Sequence, residues 1–180
     1  MSITTKKGDD GTTEMMYGRR VSKSHGRIRI CGALDELNAA LGVARAATQD
    51  TWTKEQILAV QKNLISIMGE VVTDDADREK YEKSDLSKLQ ESDLHRLDEG
   101  VKKIESEQKP FTDWIIPGKN PTSAWLDWTR VVCRRTEREI VALSEDTQTC
   151  WCPLRPLIIQ YINRLSDFLW LLARKTEKSF

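Results

Sequence analysis

From residue 33 onward the chain is written in the period of amphipathic helices. Leu34, Leu37, Leu41 and Ala44 recur at i, i+3, i+7 and i+10. The spacing predicts a helix over 33–48, with Asp35 and Glu36 in its first turn, where negative charge suits the helix dipole. Ile57, Val60, Leu64, Met68 and Val71 predict a second helix over 53–73, and Leu94, Leu97, Val101 and Ile104 a third over 91–107. The charged segment 74–90 between them reads as a linker. Pro110 and the turn Pro117-Gly118-Lys119-Asn120-Pro121 break the pattern before a fourth helix over 122–145. A second break, 147–156, precedes a fifth over 156–177. That last segment is apolar nearly all round, through Leu157, Ile158, Ile162, Leu165, Phe168, Leu169 and Leu172, and so belongs in the middle of a bundle. Residues 1–31 are polar and punctuated by Gly8, Gly11, Gly18 and Gly26, as in a loop. Only Arg27-Ile28-Arg29-Ile30 alternates with a strand period. The expectation is an all-α five-helix bundle (33–177) with a polar N-terminal arm (1–31), a single domain over 1–180.

Composition narrows the class. A length of 180 residues suits one domain, and 39% hydrophobic residues supply about 70 side chains for a core. Lys plus Arg equals Asp plus Glu at 28 each, so no net basic field invites nucleic acid. Charged residues make up 31%, no apolar run has the length of a membrane span, and the N-terminus lacks an apolar signal region. A soluble cytoplasmic chain is expected. Cys31, Cys133, Cys150 and Cys152 include a CxC but no CxxC, and His25 and His95 lie far apart, so idle thiols and no protein-built metal site are expected. The chain also lacks a Walker A loop, a Gly-x-Ser-x-Gly elbow and any Glu-x-x-His pair.

Two regions carry candidate chemistry. At 100° per residue, Trp125, Trp128, Val132 and Leu143 share one face of the fourth helix, and Arg130, Arg134 and Arg138 the opposite one. Leu126, Val131 and Val141 flank the arginines, which points to a face partly covered by another subunit or a ligand rather than a solvated stripe. Covered guanidiniums need anions, because an unpaired buried charge costs several kcal/mol. Carboxylates are one answer and a phosphate chain another. The second region is Thr5-Lys6-Lys7-Gly8-Asp9-Asp10-Gly11-Thr12-Thr13, where glycines free backbone N–H groups to face an anion among hydroxyl and ammonium donors. A flexible tail is the plainer alternative. Core packing is the plainer reading for most of Trp114, Trp125, Trp128 and Trp151.

Taken in order, these motifs resemble the PduO-type ATP:cob(I)alamin adenosyltransferases over nearly the whole chain. The arm is similar to that family's Thr-Lys-Thr-Gly-Asp-x-Gly-x-Thr, and Gly18-Arg19-Arg20-Val21-Ser22-Lys23 to its Gly-x-Arg-Val-x-Lys. Gly32-Ala33-Leu34-Asp35-Glu36-Leu37-Asn38, Ile116-Pro117-Gly118, Arg134-Arg135-Thr136-Glu137-Arg138 and Asn163-Arg164-Leu165-Ser166-Asp167 follow. The resemblance implies a homotrimer with active sites between subunits, which would explain a covered arginine face. It implies that Thr5, Lys6, Lys7, Gly8, Thr13 and Lys23 bind ATP, completed by Arg134, Glu137, Arg138 and Asn163 of a neighbouring chain. Asp35 and Arg130 match an intersubunit salt bridge on the corrinoid side, and Trp114 stands in place of a Phe that packs beneath the corrin. Arg134, Arg138, Asp35 and Arg130 are thus the residues assigned to catalysis.

The implied reaction joins the 5′-deoxyadenosyl group of ATP to the cobalt of cob(I)alamin, a form of vitamin B12. Cobalt(I) attacks C5′ and triphosphate leaves, with Mg²⁺ carried on the phosphates. The nucleophile brings its own lone pair, so the protein's task is orientation and charge stabilisation. A reductase and an adenosylcobalamin-dependent acceptor enzyme are the implied partners. Departures from the family pattern are Lys7 for Thr, Glu14 for a small hydroxyl residue, Lys119-Asn120 after Pro117-Gly118, Asp127 for His, Trp114 for Phe, and a longer 147–156. They gather around the corrinoid side and keep two alternatives open: a trimeric adenosylcobalamin carrier or ATP/corrinoid-binding protein without efficient catalysis, and a helical scaffold that binds no ATP.

Overall fold

The computed structural model describes residues 4–108, 114–145 and 154–177. Pro110, Trp151, Cys150 and Cys152, with most of the 147–156 break, lie outside the described residues. The described chain holds six α-helices and one two-stranded antiparallel sheet. Five helices are long: α1 Gly26–Ala47, α2 Thr51–Val71, α4 Glu91–Ser106, α5 Pro121–Glu145 and α6 Pro156–Glu177. The sixth, α3 (Arg78–Glu82), is a helix of 5 residues inside the segment expected to be a linker.

Local chemistry sets the helix starts. Asp50 accepts hydrogen bonds from Thr53 N at 2.9 Å and Thr53 Oγ1 at 2.6 Å, capping α2. Gln90 and Asp93 form a reciprocal box at the head of α4. Pro121 opens α5, where a missing N–H costs nothing. Asn120 Oδ1 accepts from Ser123 N at 2.8 Å, while Asn120 N donates to Ser123 Oγ at 3.2 Å.

As its composition requires, α6 is central: it packs between α4 and α5, and Tyr161, Ile162, Leu165, Phe168 and Leu172 are fully buried. On the other side of α5 lies α1, itself backed by α2. Thr129 and Thr136 of α5 donate to the Ala40 and Ala33 carbonyls of α1, satisfying hydroxyls that burial would otherwise penalise. Asp127, placed where the family has His, is buried and paired with the buried Arg174 at 2.5 Å, locking α5 to α6.

Three expectations change. Arg27-Ile28-Arg29-Ile30 is no strand but the first turn of α1, which starts at Gly26 rather than 33. Arg27 and Ile30 are its buried pair, spaced i, i+3. A side chain at Gly26 would sit 2.7 Å from Leu143 Cδ1, so glycine lets α1 begin against the end of α5. The arm is not purely loop: β1 (Thr12–Glu14) pairs with β2 (Arg20–Ser22) in the register Thr13↔Val21. Finally, Val132 and Leu143 are buried, but Trp125 and Trp128 are 42% and 45% exposed, packed edge to face on each other. Trp114, at 99%, is fully exposed. Core packing accounts for none of these three tryptophans.

Candidate functional site

The arm is held from within by one cation. Arg20 donates to the Lys7 carbonyl at 2.6 Å and to Thr12 Oγ1, and lies 3.4 Å from Asp10. Asp10 in turn accepts from Thr12 N at 2.9 Å and Thr12 Oγ1 at 2.7 Å. These Thr12 bonds, helped by Arg20, hold the Asp10 carboxyl below the usual range. Gly11 sits at φ +81°, and its carbonyl accepts from Lys23 N at 3.0 Å. The Lys23 ammonium rests on Gly8, where an added Cβ would come within 3.1 Å of it. Thus Lys23, Gly8 and the following turn form one tight cradle, with Thr5, Lys6 and Lys7 exposed beside it and Thr13 half-buried. Lys6 takes a positive φ of 57°, which is uncommon for a residue with a side chain. Glu14, at the end of β1, is exposed and opposes Arg20.

The arginine helix supplies the second half. Glu137 Oε1 accepts from Asn163 Nδ2 at 2.9 Å, so this flank of α5 looks toward α6. Arg134 and Arg138 are exposed, and Arg138 Nη1 donates to the Arg134 carbonyl at 3.0 Å. Arg130 lines an open groove of about 570 Å³ with Glu105, Arg164, Asp167 and Trp170. Among the described residues none of Arg130, Arg134 and Arg138 forms an ion pair within the chain. Their neighbours do: Arg135 pairs with Glu36, and Arg164 with Asp98.

The chain does not bring all the predicted residues together. Arg29 pairs with Glu139 at 2.7 Å on the flank of α5 that faces α1, whereas Glu137 and Asn163 meet on the flank facing α6. The arm leads into α1 and is tied to the chain just after α2, where Met16 N donates to the Val72 carbonyl. Among the described residues no hydrogen bond or ion pair joins Thr5, Lys6, Lys7, Gly8, Thr13 or Lys23 to Arg134, Glu137, Arg138 or Asn163. Asp35, exposed on α1, likewise makes no ion pair with Arg130. Trp114 and Ile116 project beside the Pro117-Gly118 turn at 99% and 86% exposure.

Neither described cysteine is activated as a thiolate. Burial drives the Cys133 thiol far above its ordinary range, and its Sγ donates to the Ile162 carbonyl. Burial, then the Asp35 carboxylate, also raise Cys31. Sequence reasoning missed Arg20 as the clamp of the arm and Arg27 as its buried neighbour. Both stood in quoted motifs, but their partners lie 8 to 48 residues away, beyond any local spacing rule.

Comparison with known proteins gives one answer. The cobalamin adenosyltransferase family model matches residues 3–176. The chain is 33% identical over 177 residues to corrinoid adenosyltransferase PduO of Salmonella typhimurium, covering 98% of this chain and 50% of that protein. It is 34% identical to a corrinoid adenosyltransferase of Citrobacter freundii, covering 97% of this chain and 94% of the relative. It therefore spans about half the length of the PduO relatives it matches, and nearly all of the shorter one. A solved variant of the PduO-type ATP:corrinoid adenosyltransferase of Lactobacillus reuteri, complexed with cobalamin and ATP, superimposes with a TM-score of 0.85 at 25% identity, covering 98% of this chain and 94% of that one. Matched from end to end in sequence and in fold, the chain belongs to the cobalamin adenosyltransferase family.

Proposed function

We propose that this chain transfers the 5′-deoxyadenosyl group of ATP to the cobalt of cob(I)alamin, releasing triphosphate. The observation that carries this reading is the row Arg130, Arg134 and Arg138, without a carboxylate partner among the described residues, beside a hydrogen-bonded Glu137–Asn163 pair. Three aligned guanidiniums with no anion of their own suit a ligand that brings several negative charges. The arm adds the Lys23–Gly8 cradle, with Thr5, Lys6, Lys7 and Thr13 as further donors.

As cobalt(I) attacks C5′, charge accumulates on the departing triphosphate, and fixed cations there lower the barrier more than they aid ground-state binding. Arg134 and Arg138 hold that charge, and Glu137 with Asn163 orients the nucleoside end. Mg²⁺ rides on the phosphates rather than in a protein cage. Trp114, exposed beside the Pro117-Gly118 turn, serves as the apolar wedge beneath the corrin.

The same geometry favours a homotrimer. The arm is tied to the chain after α2 and leads into α1, whereas Glu137 of the arginine helix meets Asn163 of α6; Asp35 likewise lies on α1, whereas Arg130 lines a groove with α6. A cyclic assembly that sets the arm of one subunit against α5 of the next completes both pairs. Exposed Trp125, Trp128 and Val131 give such an interface apolar surface. Among the described residues no helix is long and apolar enough to cross a membrane, in keeping with cytoplasmic work on a soluble corrinoid.

Anaerobic incubation with chemically reduced cobalamin and MgATP tests the reaction. The expected result is a photolabile alkylcobalamin spectrum with stoichiometric triphosphate. Tight retention of corrinoid and ATP without turnover would overturn catalysis in favour of a carrier.

A further inference from the structure

Lys23 stands between the end of β2 and the start of α1, so its position depends on both flanks. Both are tied to one stretch of chain, residues 71–77. On the hairpin side, Arg19 Nε binds the Asp77 carboxylate and lies 3.7 Å from Asp74, while Met16 N donates to the Val72 carbonyl at 3.0 Å. On the helix side, the buried Arg27 donates to the Val71 carbonyl at 3.1 Å and to Asp75 Oδ1 at 2.6 Å. Lys80, one turn on, covers the Tyr17 ring at 4.2 Å.

We infer that Arg27 and Asp75 form a positioning pair for the triphosphate site, setting through α1 the place of Lys23 against Gly8. The inference rests on the arm being an ATP site. A guanidinium at the last carbonyls of α2 is favoured by the helix dipole, and Asp75 fixes its remaining side by a charge-assisted bond. Arg78 Nη2 lies 3.7 Å from the same Asp75 oxygen and backs it with a second positive charge. The pair joins the root of the arm to the segment that also holds the hairpin. Removing the Asp75 charge takes away one charge-assisted hold on Arg27, which keeps its bond to the Val71 carbonyl, and lets the root of α1 shift relative to Arg19 and β2. Lys23 then moves off Gly8, while Trp114 and Arg130, before and on α5, keep their place.

The test is Asp75→Asn, which keeps shape and removes charge, with Asp75→Glu as the conservative control. MgATP binding is read by calorimetry, and KM is measured separately for ATP and cob(I)alamin. The expected result is a rise of about tenfold in Kd and KM for ATP, with an unchanged corrinoid KM and recovery in Asp75→Glu. Should Asp75→Asn fail to fold, Asp77→Asn, on the part-exposed Arg19 bond, is read in the same way. A lowered melting temperature with unaltered MgATP binding, or parallel shifts in both KM values, would overturn the positioning role alone. Absence of MgATP binding by the unmodified chain would overturn the phosphate-site reading and this inference with it.

Discussion

Arg134 is the residue on which the chemical reading turns. Its side chain is exposed and makes no ion pair, while its carbonyl is engaged by Arg138 at 3.0 Å. Nothing in the fold needs its guanidinium. Arg134→Ala is therefore expected to leave the melting temperature within a degree or so, because surface changes away from networks move stability little. It is expected to lower kcat by about 10²–10³, the usual cost of deleting one donor aimed at developing charge. Thermal denaturation together with single-turnover formation of the alkylcobalamin separates the two effects. Near-normal turnover in a folded variant would remove Arg134 from the site. Next to it, Cys133 illustrates the reverse: a residue on the same helix that burial has turned into core.

At the scale of elements, the long helices were legible because their apolar stripes are long. Leu34, Leu37 and Leu41, and Ile57, Val60 and Leu64, are all buried where the period put them. The hairpin was not, because strands of 3 residues carry too few positions to show a period. The early start of α1 hid behind two arginines, one of which, Arg27, is buried with partners at Val71 and Asp75, 44 and 48 residues away. Caps were not read from the pattern, Asp50 among them. Partial burial works to raise its carboxyl, but the Thr53 bonds and Lys175 outweigh that and hold it below the ordinary range. A carboxyl depressed in the folded state adds stability that is fully present above its unfolded value, near pH 4, and fades as pH falls through the folded value. Asp50→Ala is thus expected to cost about 1 kcal/mol at neutral pH, and the gap to the parent chain should close in acid. Urea titrations at pH 7 and pH 3 check this; a gap that persists unchanged at pH 3 would show that the carboxylate charge plays no part.

The whole molecule poses a different question: where one active site ends and the next begins. Lys23 and Gly8 lie by the root of α1, while Arg134 and Arg138 lie exposed on α5 either side of Glu137, which meets Asn163 of α6. If each site takes its arm from one subunit and its arginines from another, two inactive variants can repair each other. Lys23→Ala spoils the arm and spares α5; Arg134→Ala does the reverse. In a cyclic trimer containing both kinds of chain, one of the three junctions pairs an intact arm with an intact arginine flank, whichever chain is in excess. Equal co-expression makes three-quarters of the trimers mixed, so about a quarter of the parent activity should return. Differently tagged chains, purified through both tags and weighed by sedimentation, isolate those mixed assemblies. A site built within one chain would give only the sum of the two residual activities, since no mixing then brings an intact arm to an intact arginine.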